Sequence, residues 1–378
     1  MQTRGGIRAG IQGYGLWTAA GVGIPAHRQA LAQGQPPRPQ PIADSCAQLR
    51  PYLPAQPHGN GQSQPAERLQ QVIREALDMA GLSAERAANI PLLIGSTSLD
   101  VASSELALQA DSEALPLPHP DCADFVAPLR QALGHRGPAC VFSSACASAA
   151  NALLHGLALL RAGACEEVLV VGVEVFNRLS LDGFGALMLL SDSGDYRPFD
   201  GERDGIVLGE AAAAMVLGRQ SDGAAFALSG GSSRCDPGNP TNATPAQLLA
   251  VMQAALSDAG VSAESLLAVR AHGTGTPSND VAEGQALLQL CAQPPALTSL
   301  KPWFGHTLGA SGLVELIALL LGWEQGFLPP TPGFRQADPE TGVQAIAQAL
   351  PLPAQGAILC NSFGFGGNNA SLVVEACA

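Results

Sequence analysis

Short continuous apolar runs alternate with segments of helical periodicity along most of the 378-residue chain. The runs at residues 90–98 (IPLLIGSTS) and 168–176 (VLVVGVEVF) are typical of buried strands, the second of the parallel type. Residues 67–82 (ERLQQVIREALDMAGL) carry apolar side chains three and four positions apart, which predicts an amphipathic helix that stops at Gly81. Residues 5–18 predict a first strand and turn.

A second set of strands and helices follows a stretch near residues 229–245 that is rich in Gly, Ser and Pro. Its predicted helices are 244–261, 281–292 and 312–326, and its predicted strands are 266–273 and 296–302. Strands that alternate with helices on both sides of one boundary predict layered α/β halves with parallel sheets. We place the two halves at residues 1–232 and 233–378.

Two segments lack a clear pattern of apolar and polar residues. Separately, the two halves share a short sequence feature. Residues 32–65 are rich in Pro, Gln and Gly and predict an extended surface excursion, whereas residues 100–136 support little assignment. In each half a short strand leads through a reactive residue, Cys146 or His306, into a helix that opens with Ala, Ser and Gly. This similarity is a hint of internal duplication.

Composition and charge narrow the class of protein. Apolar residues make up 47% and charged residues 13% of the chain, as in compact soluble proteins with a large buried fraction. A formal charge of −13 argues against nucleic acid as a partner, because nucleic acid favours clustered Lys and Arg. The start of the chain has no apolar run, and the longest uncharged stretch, residues 137–160, carries Ser, Asn and His. We therefore expect neither a signal peptide nor a membrane span.

The nine cysteines show no paired C-x-x-C spacing, which indicates neither a zinc site nor a disulfide framework and favours the cytoplasm. Cys146 stands out because the apolar segment 139–142 passes through it into an Ala- and Leu-rich helix. Unpaired N–H groups and the positive end of the helix dipole favour the thiolate at such a turn. The alternative is a buried cysteine that only fills core space.

Three further stretches carry chemically useful residues. His272 follows a predicted strand in AHGTGTPSND, and KPWFGHTLGASGLVE places Lys301, His306 and Glu315 in one strand–loop–helix. Lys301 is the single lysine among 19 basic residues, so this site has kept a compact ammonium in a chain that otherwise uses Arg. The stretch CNSFGFGGNNA, residues 360–370, is a glycine-dense turn whose N–H groups could receive an oxyanion.

Together the four stretches indicate an acyl-transfer site, with a cysteine at a helix start, two histidines after separate strands and an amide-rich loop. Each is weak alone, since a histidine after a strand is usually structural and the GFGG turn lacks the context of a dinucleotide site. The remaining histidines are predicted to be structural or solvated: His27, His58, His119, His135 and His155. Three cysteines are predicted to pack in apolar surroundings: Cys165, Cys291 and Cys360.

The chain resembles the β-ketoacyl-carrier-protein synthases of the elongating Cys-His-His type, within the thiolase-fold superfamily. The resemblance rests on SSACASA, YRPFDGERDGIVLGE, AHGTGTPSND, KPWFGHTLGASGLVE and CNSFGFGGNNA, which occur in the family's order over residues 140–375. It implies a thiolase-like α/β fold in which two related halves give a layered αβαβα arrangement. It also implies that the protein needs no metal and no cofactor.

The resemblance implies a decarboxylative Claisen condensation. Cys146 would take an acyl primer from a carrier protein as a thioester. His272 and His306 would donate hydrogen bonds to the thioester carbonyl of malonyl-carrier protein and stabilise the enolate left by decarboxylation. Backbone N–H groups of Cys146 and Phe365 would form the oxyanion hole for acyl transfer.

Further positions follow from the same resemblance. Lys301 and Glu315 would form a buried ion pair that orients the histidines and keeps them neutral. Phe365 would be a mobile gate residue, in a loop that its glycines allow to swing. The substrate-binding and gate positions are Thr274, Thr276, Phe363, Gly364, Phe365 and Gly366.

The resemblance also implies partners. Acyl and malonyl forms of acyl carrier protein would bind, and the chain would form a homodimer or a heterodimer with a related ketosynthase subunit. Carrier proteins are acidic, so a chain with a charge of −13 should repel them at long range. We therefore expect a local arginine cluster at the pocket mouth, with Arg130, Arg136 and Arg203 as candidates.

Other members of the superfamily fit less well. A non-catalytic or heterodimeric chain-length-factor-like subunit is the main alternative, but such proteins typically lose the nucleophile that is present here. A degradative thiolase needs a second catalytic cysteine in its C-terminal glycine motif, and the primer-starting synthases use Cys-His-Asn. Fatty-acid, polyene and polyketide elongation all stay open as the pathway.

Overall fold

The computed structural model describes residues 6–39, 65–110 and 122–377, except residues 222, 237, 239, 240 and 242. Most of the excursion predicted for residues 32–65 and part of the segment 100–136 lie outside these described residues, as do His58 and His119. The helix predicted to stop at Gly81 and the two buried strands of the first half are present.

The elements of the described residues are the following. The strands are β1 (Ala9–Thr18), β2 (Gly21–Val22), β3 (Leu92–Gly95), β4 (Ala139–Phe142), β5 (Glu167–Glu174), β6 (Ala211–Gly218), β7 (Phe226–Cys235), β8 (Leu266–Arg270), β9 (Ala296–Thr298), β10 (Phe327–Leu328), β11 (Leu350–Pro351), β12 (Gly356–Gly364) and β13 (Asn368–Ala376). The α-helices are α1 (Gly23–Gln33), α2 (Pro65–Met79), α3 (Ala84–Ala87), α4 (Val101–Ala110), α5 (Cys122–Leu133), α6 (Ser148–Arg161), α7 (Arg178–Ala186), α8 (Pro245–Ala259), α9 (Pro277–Leu290), α10 (Lys301–Phe304) and α11 (Ser311–Glu324). Short 3₁₀ turns occur at Ala263–Ser265, Leu308–Ala310 and Phe365–Gly367.

The main sheet contains the same strand order twice. From the middle outward, the first half runs β1, β6, β5, β3, β4 and the second runs β7, β13, β12, β8, β9. In both halves the successive pairings are antiparallel, antiparallel, parallel and parallel. The halves join where β1 pairs with β7 over only two residue pairs, Ala9–Leu228 and Gly10–Ala227. This repeated order supports the internal duplication that the sequence suggests.

The predicted parallel pairing is present only in the outer strands of each half, β5–β3–β4 and β12–β8–β9. Strand β5 is parallel to β3 but antiparallel to β6 (residues 211–218), because a continuous apolar run fits either kind of buried pairing. The Gly and Ser residues from 229 to 235 continue β7 and do not form a linker. The predicted boundary at residues 232 and 233 lies inside that strand, whereas the two repeats meet between Gly218 and Phe226. The division into two domains stays a prediction.

Three apolar clusters separate the layers. One lies between α2 and α5 and the outer face of β3, β5 and β6, and includes Ile73. The central cluster places α6 and α11 between the two halves of the sheet and includes Leu316. The third lies where α8 and α9 cover β8 and β12, and includes Met252. The order is helix, sheet, helix, sheet, helix, which is the predicted αβαβα arrangement.

Helix α11 is the centre of the molecule. Every residue from Ser311 to Trp323 is buried, as expected for a helix that is apolar on all sides and surrounded by protein. Among the described helices, none combines the length and the apolar content that crossing a bilayer requires.

Glycines in β1 let α2 lie directly on the strand. A Cβ at Gly13 would lie 2.2 Å from the carbonyl oxygen of Ala76, and one at Gly15 would lie 2.1 Å from that of Val72. Both glycines point to the same face of β1, so strand and helix backbones touch along this line.

The change Gly15→Ala should lower the free energy of unfolding by about 1–3 kcal/mol, because the obstructing carbonyl belongs to the helix backbone and cannot move alone. Gly183→Ala is the matched control, since that exposed position in α7 has no atom within 4 Å of a new Cβ and should change stability by less than about 1 kcal/mol. Urea denaturation measures both. An unchanged midpoint for Gly15→Ala would contradict this account of the contact.

Candidate active site

Three reactive side chains meet where parallel strands end. Cys146 follows β4, His272 follows β8, and His306 follows β9 after the short helix α10. Ala145 has a φ of 50°, a left-handed conformation that turns the chain sharply just before Cys146. The carboxyl ends of parallel strands are the usual ligand-binding edge of α/β sheets. Each half of the molecule contributes to one site.

The helices behind Cys146 and His306 touch at their amino-terminal turns. A Cβ at Gly312 of α11 would lie 3.0 Å from the amide nitrogen of Ala150 in α6. Each helix follows the outermost strand of its half, β4 or β9. Cys146 and His306 therefore occupy corresponding places in the two repeats.

The three side chains are close enough to react together. The Sγ atom of Cys146 lies 3.1 Å from Nε2 of His306. The ring centroids of His272 and His306 are 5.6 Å apart and the planes meet at 78°. Each of the three residues is at most 6% exposed. Their S and N atoms lie within 4.8 Å of one another, which is close enough to hold a metal ion as well. The metal-free chemistry stays a prediction.

Hydrogen-bond partners distinguish the two histidines. Nδ1 of His272 lies 3.4 Å from Nζ of Lys301, an ammonium that only donates, so Nδ1 accepts and Nε2 carries the hydrogen. Nδ1 of His306 lies 3.0 Å from Oγ of Ser311, a hydroxyl that donates or accepts. His272 is thus fixed as an Nε2–H donor, whereas His306 can take either tautomer.

Burial and a fixed ammonium keep both histidines neutral. Burial lowers the pKa of His272 and of His306 well below the ordinary value, and Lys301 lowers both further. Nζ of Lys301 lies 2.8 Å from Oε1 of Glu315, so the predicted ion pair is present and fully buried. Arg270, which the sequence analysis did not single out, lies 3.4 Å from the other oxygen of Glu315.

The resting thiolate predicted for Cys146 is wrong. Burial raises the pKa of this thiol to about 12, the Lys301 ammonium opposes the rise, and the Glu174 carboxylate adds to it. Cys146 also lies two residues before the first residue of α6, so desolvation outweighs the favourable helix terminus. The resting group is a thiol that donates to Nε2 of His306.

A buried carboxylate that the sequence analysis missed links the two halves. Glu174, at the end of β5, accepts hydrogen bonds from the N–H groups of Thr97 (2.9 Å), Ser98 (2.8 Å) and Gly309 (2.9 Å). Gly309 lies in the loop that carries His306 into α11. Glu174 therefore holds one loop from each half beside the reactive side chains.

A second missed carboxylate holds the other histidine loop. Glu283 of α9 accepts hydrogen bonds from the N–H groups of His272 and Gly273, both at 2.9 Å, and from Nδ2 of Asn361 at 3.0 Å. The available signal was an acidic residue within an element of mostly small and apolar residues, as with Glu174 in VLVVGVEVF. Such a group is costly to bury and needs partners.

The glycine-dense loop joins β12 to β13 beside the nucleophile. A Cβ at Gly364 would lie 3.1 Å from the amide nitrogen of Cys146. The ring of Phe365 stacks on that of Phe184 at 5.8 Å, and Gly366 has a φ of 74°. The loop is therefore placed where its amides could serve acyl transfer, and the oxyanion hole of Cys146 and Phe365 stays a prediction.

A cavity opens in front of the three reactive side chains. Of the described residues that line it, none carries a formally charged side chain. The hydroxyls of Thr274 and Thr276 are 2.8 Å apart, and the ring of Phe363 lies 5.8 Å from that of His272. Of the predicted binding and gate positions, Gly366 is the one that does not line the cavity; the others are Thr274, Thr276, Phe363, Gly364 and Phe365.

The three arginines predicted to form a cluster at the pocket mouth do not lie there. Arg203 is buried, with Nη1 2.6 Å from a carboxylate oxygen of Asp338 and Nε 3.7 Å from one of Asp280. Arg130 and Arg136 flank the loop before β4, at the amino ends of β3 and β4 and away from Cys146. The predicted candidates are therefore wrong because one is paired internally and two lie at the opposite strand ends.

Of the histidines predicted to be structural or solvated, His27 and His135 are buried and bonded, and His155 is exposed. Nε2 of His27 bonds to Thr18, and Nε2 of His135 bonds to the carbonyl of Ile90, both at 2.8 Å. The three cysteines predicted to pack are buried or partly buried: Cys165, Cys291 and Cys360.

Comparisons with known proteins agree with this geometry. The family model "Beta-ketoacyl synthase, N-terminal domain" matches residues 56–223, and "Beta-ketoacyl synthase, C-terminal domain" matches residues 226–335. The chain is similar to 3-oxoacyl-[acyl-carrier-protein] synthase 2 of Vibrio cholerae, with 33% identity over 64% of this chain and 63% of that enzyme. It is 31% identical to the enzyme of the same name from Synechocystis, over 67% of this chain and 68% of the relative.

Similarity to a solved structure extends over nearly the whole chain. The ishigamide ketosynthase/chain length factor has a TM-score of 0.86 and 25% identity, covering 99% of this chain and 100% of that one. The sequence match to the Vibrio cholerae enzyme, by contrast, spans slightly less than two thirds of that relative.

Alkylation of Cys146 by iodoacetamide should become about tenfold faster for each pH unit between pH 7 and pH 10, because the thiolate is the reactive form and the pKa lies near 12. Peptide mapping separates this reaction from alkylation of the exposed Cys140 and Cys235. A rate that levels off below pH 8 would indicate the resting thiolate and contradict the raised pKa.

The change Glu174→Gln tests whether the Glu174 carboxylate helps to raise the pKa of Cys146. The carboxylate raises the pKa of Cys146, so its removal should lower that pKa and make alkylation at pH 8 faster than in the wild type. The amide keeps an oxygen that can accept a hydrogen bond from an N–H group. A slower reaction in a folded Glu174→Gln protein would contradict the assigned sign.

Proposed function

Because the chain belongs to the β-ketoacyl synthase family, we propose that it catalyses decarboxylative Claisen condensation of malonyl-carrier protein with an acyl primer held on Cys146. The observation that carries this proposal is the buried cluster of Cys146, His272 and His306, with Sγ 3.1 Å from Nε2 of His306. The reaction extends a fatty-acid, polyene or polyketide chain by two carbons.

Acyl transfer to the enzyme is the first step. The thiol of Cys146 gives its proton to Nε2 of His306 as the sulfur attacks the primer thioester carbonyl. The carrier thiolate leaves and takes the proton from the imidazolium. Backbone N–H groups of Cys146 and Phe365 stabilise the tetrahedral oxyanion, a role supported by the approach of Gly364 to the Cys146 amide.

Decarboxylation and condensation follow. Nε2–H groups of His272 and His306 donate to the malonyl thioester carbonyl, and carbon dioxide leaves with its bonding pair retained as the enolate. The enolate carbon attacks the acyl-Cys146 carbonyl, and the cysteine sulfur leaves as a thiolate that takes up, from solvent, the one proton that the reaction consumes. Ser311 supports the second role of His306, since a hydroxyl accommodates both tautomers.

Lys301 acts through the histidines. Its ammonium lies 3.4 Å from Nδ1 of His272, lowers the pKa of both imidazoles and is itself held by Glu315. A protonated histidine would donate as well, but it could not accept the Cys146 proton. Lys301 and Glu315 are therefore positioning residues in this scheme.

The partners are proposed on the same basis. Acyl and malonyl carrier proteins would deliver the two substrates, and the protein would work in the cytoplasm as a homodimer or beside a related subunit. The second candidate function is that of a heterodimeric, chain-length-factor-like subunit. It is supported by a structural relative that is described as a ketosynthase/chain length factor. The complete Cys-His-His cluster favours the catalytic role, because a chain without catalysis has no need of it.

The change Cys146→Ala should abolish acyl-enzyme formation, because no other cysteine lines the cavity among the described residues. The measurement is intact-protein mass after incubation with acyl-carrier protein. Exposed Cys140 provides the matched control, since Cys140→Ala should still gain one acyl group. An adduct that persists in Cys146→Ala, or that maps to another cysteine, would remove Cys146 from its role.

The change Cys146→Gln should leave decarboxylation of malonyl-carrier protein intact, because the histidines and not the thiol stabilise the enolate. Adding His272→Ala or His306→Ala to that variant should slow carbon dioxide release by about 10²–10³-fold, the usual loss for one preorganised donor. His155→Ala, at an exposed position of α6, is the matched control and should have no effect. Full activity in either double variant would refute the division of labour.

A further inference from the structure

Asn369 is a buried amide with no hydrogen-bond partner among the residues that the structure describes. It lies on β13, is 0% exposed and lines the cavity in front of Cys146. Among the buried side chains of the described residues, it is the one amide whose Oδ1 and Nδ2 both lack a hydrogen bond. Buried polar groups are nearly always paired, so an orphaned amide facing a cavity requires an explanation.

A second asparagine of the same hairpin shows the normal pattern. Nδ2 of Asn361 donates to Glu283 at 3.0 Å, and Oδ1 of Asn361 accepts from Oγ of Ser371 at 2.8 Å. Both asparagines are fully buried. The difference is that Asn369 lines the cavity and Asn361 does not.

The register of the hairpin places Asn369 close to the reaction centre. It pairs directly with Phe363 across β12 and β13, and residues opposite each other in an antiparallel pair share a face of the sheet. The ring of Phe363 lies 5.8 Å from that of His272. A ligand group that reaches Asn369 therefore lies beside the histidines.

The chemistry of the lining selects the kind of group. The lining residues within the described parts of the chain carry no formal charge, and both histidines are neutral. A carboxylate offers no donor, so it would satisfy Nδ2 alone and leave Oδ1 unpaired. A secondary amide offers one donor and one acceptor, so neighbouring amides of an extended ligand satisfy both atoms of Asn369 without any charge.

We propose that Asn369 hydrogen-bonds to amide groups of the arm that presents the substrate thioester to Cys146. The proposal rests on the proposed function, because it takes the ligand of the cavity to be a thioester. It assigns recognition of the arm to an amide–amide contact at Asn369. Discrimination at such a site comes from the unpaired groups that remain when the ligand lacks its amides.

Three thioesters with the same acyl group test the proposal: those of pantetheine with two amides, of N-acetylcysteamine with one, and of ethanethiol with none. Intact-protein mass gives the second-order rate constant for acylation of Cys146. Asn369→Ala should react roughly tenfold more slowly with the pantetheine thioester and within about twofold of the wild type with the ethyl thioester. Asn369→Asp, which keeps the shape but loses the donors, should lose at least as much.

Ser278→Ala is the matched control, because Ser278 lines the same cavity at its exposed rim. It should leave all three rate constants unchanged. Equal losses with all three thioesters in Asn369→Ala would give Asn369 a packing role and overturn the proposal. A loss confined to malonyl thioesters, whatever the arm, would assign a carboxylate ligand and overturn it as well.

Binding of pantetheine itself separates this proposal from the proposed function. If no thioester acylates the wild type, the proposed function fails. Calorimetry still measures the affinity of the protein for pantetheine in that case. The Kd of pantetheine should rise roughly tenfold in Asn369→Ala. An unchanged Kd would overturn the amide contact irrespective of any acylation result.

Discussion

The contact between the amino-terminal turns of α6 and α11 sets the distance between the reactive side chains of the two halves. The backbones touch there, since a Cβ at Gly312 would lie 3.0 Å from the nitrogen of Ala150. Cys146 and His306 lie on the segments that enter these two helices, so the backbone contact helps to hold Sγ and Nε2 3.1 Å apart. From β5, Glu174 ties the loop after β3 to the loop that carries His306. Geometry held by regular elements is more precise than geometry held by mobile loops.

Burial at this contact determines where the protons are. A desolvated site disfavours charge, so the thiol of Cys146 and both imidazoles are neutral at rest. The Lys301 ammonium contacts Nδ1 of His272 and leaves that ring one tautomer, whereas Ser311 leaves His306 two. The two histidines therefore differ in what they can do, although both are strand-end residues in the same cavity. One is a fixed donor, and the other can accept the thiol proton and later donate.

The sequence predicts those features that depend on residues close together in the chain. Helical periodicity, buried strands and the short stretches around Cys146, His272 and His306 are local, and the structure brings those residues together. The protonation of Cys146 was missed because desolvation depends on the packing of distant elements. Arg203 is a candidate for the pocket mouth from sequence alone, because its partner Asp338 is 135 positions away in the chain. The antiparallel pairing of β6 and the orphaned amide of Asn369 were also invisible, since both are properties of the assembled fold.

The repeated strand order has a consequence for the chemistry of the site. One repeat supplies the thiol and the other supplies both imidazoles, so a polypeptide with a single repeat contains only part of the cluster. In an assembly of two identical single-repeat chains, corresponding positions would carry the same residue. Because one chain contains both repeats, corresponding positions can differ. Sulfur from one repeat therefore faces nitrogen from the other, at Cys146 and His306.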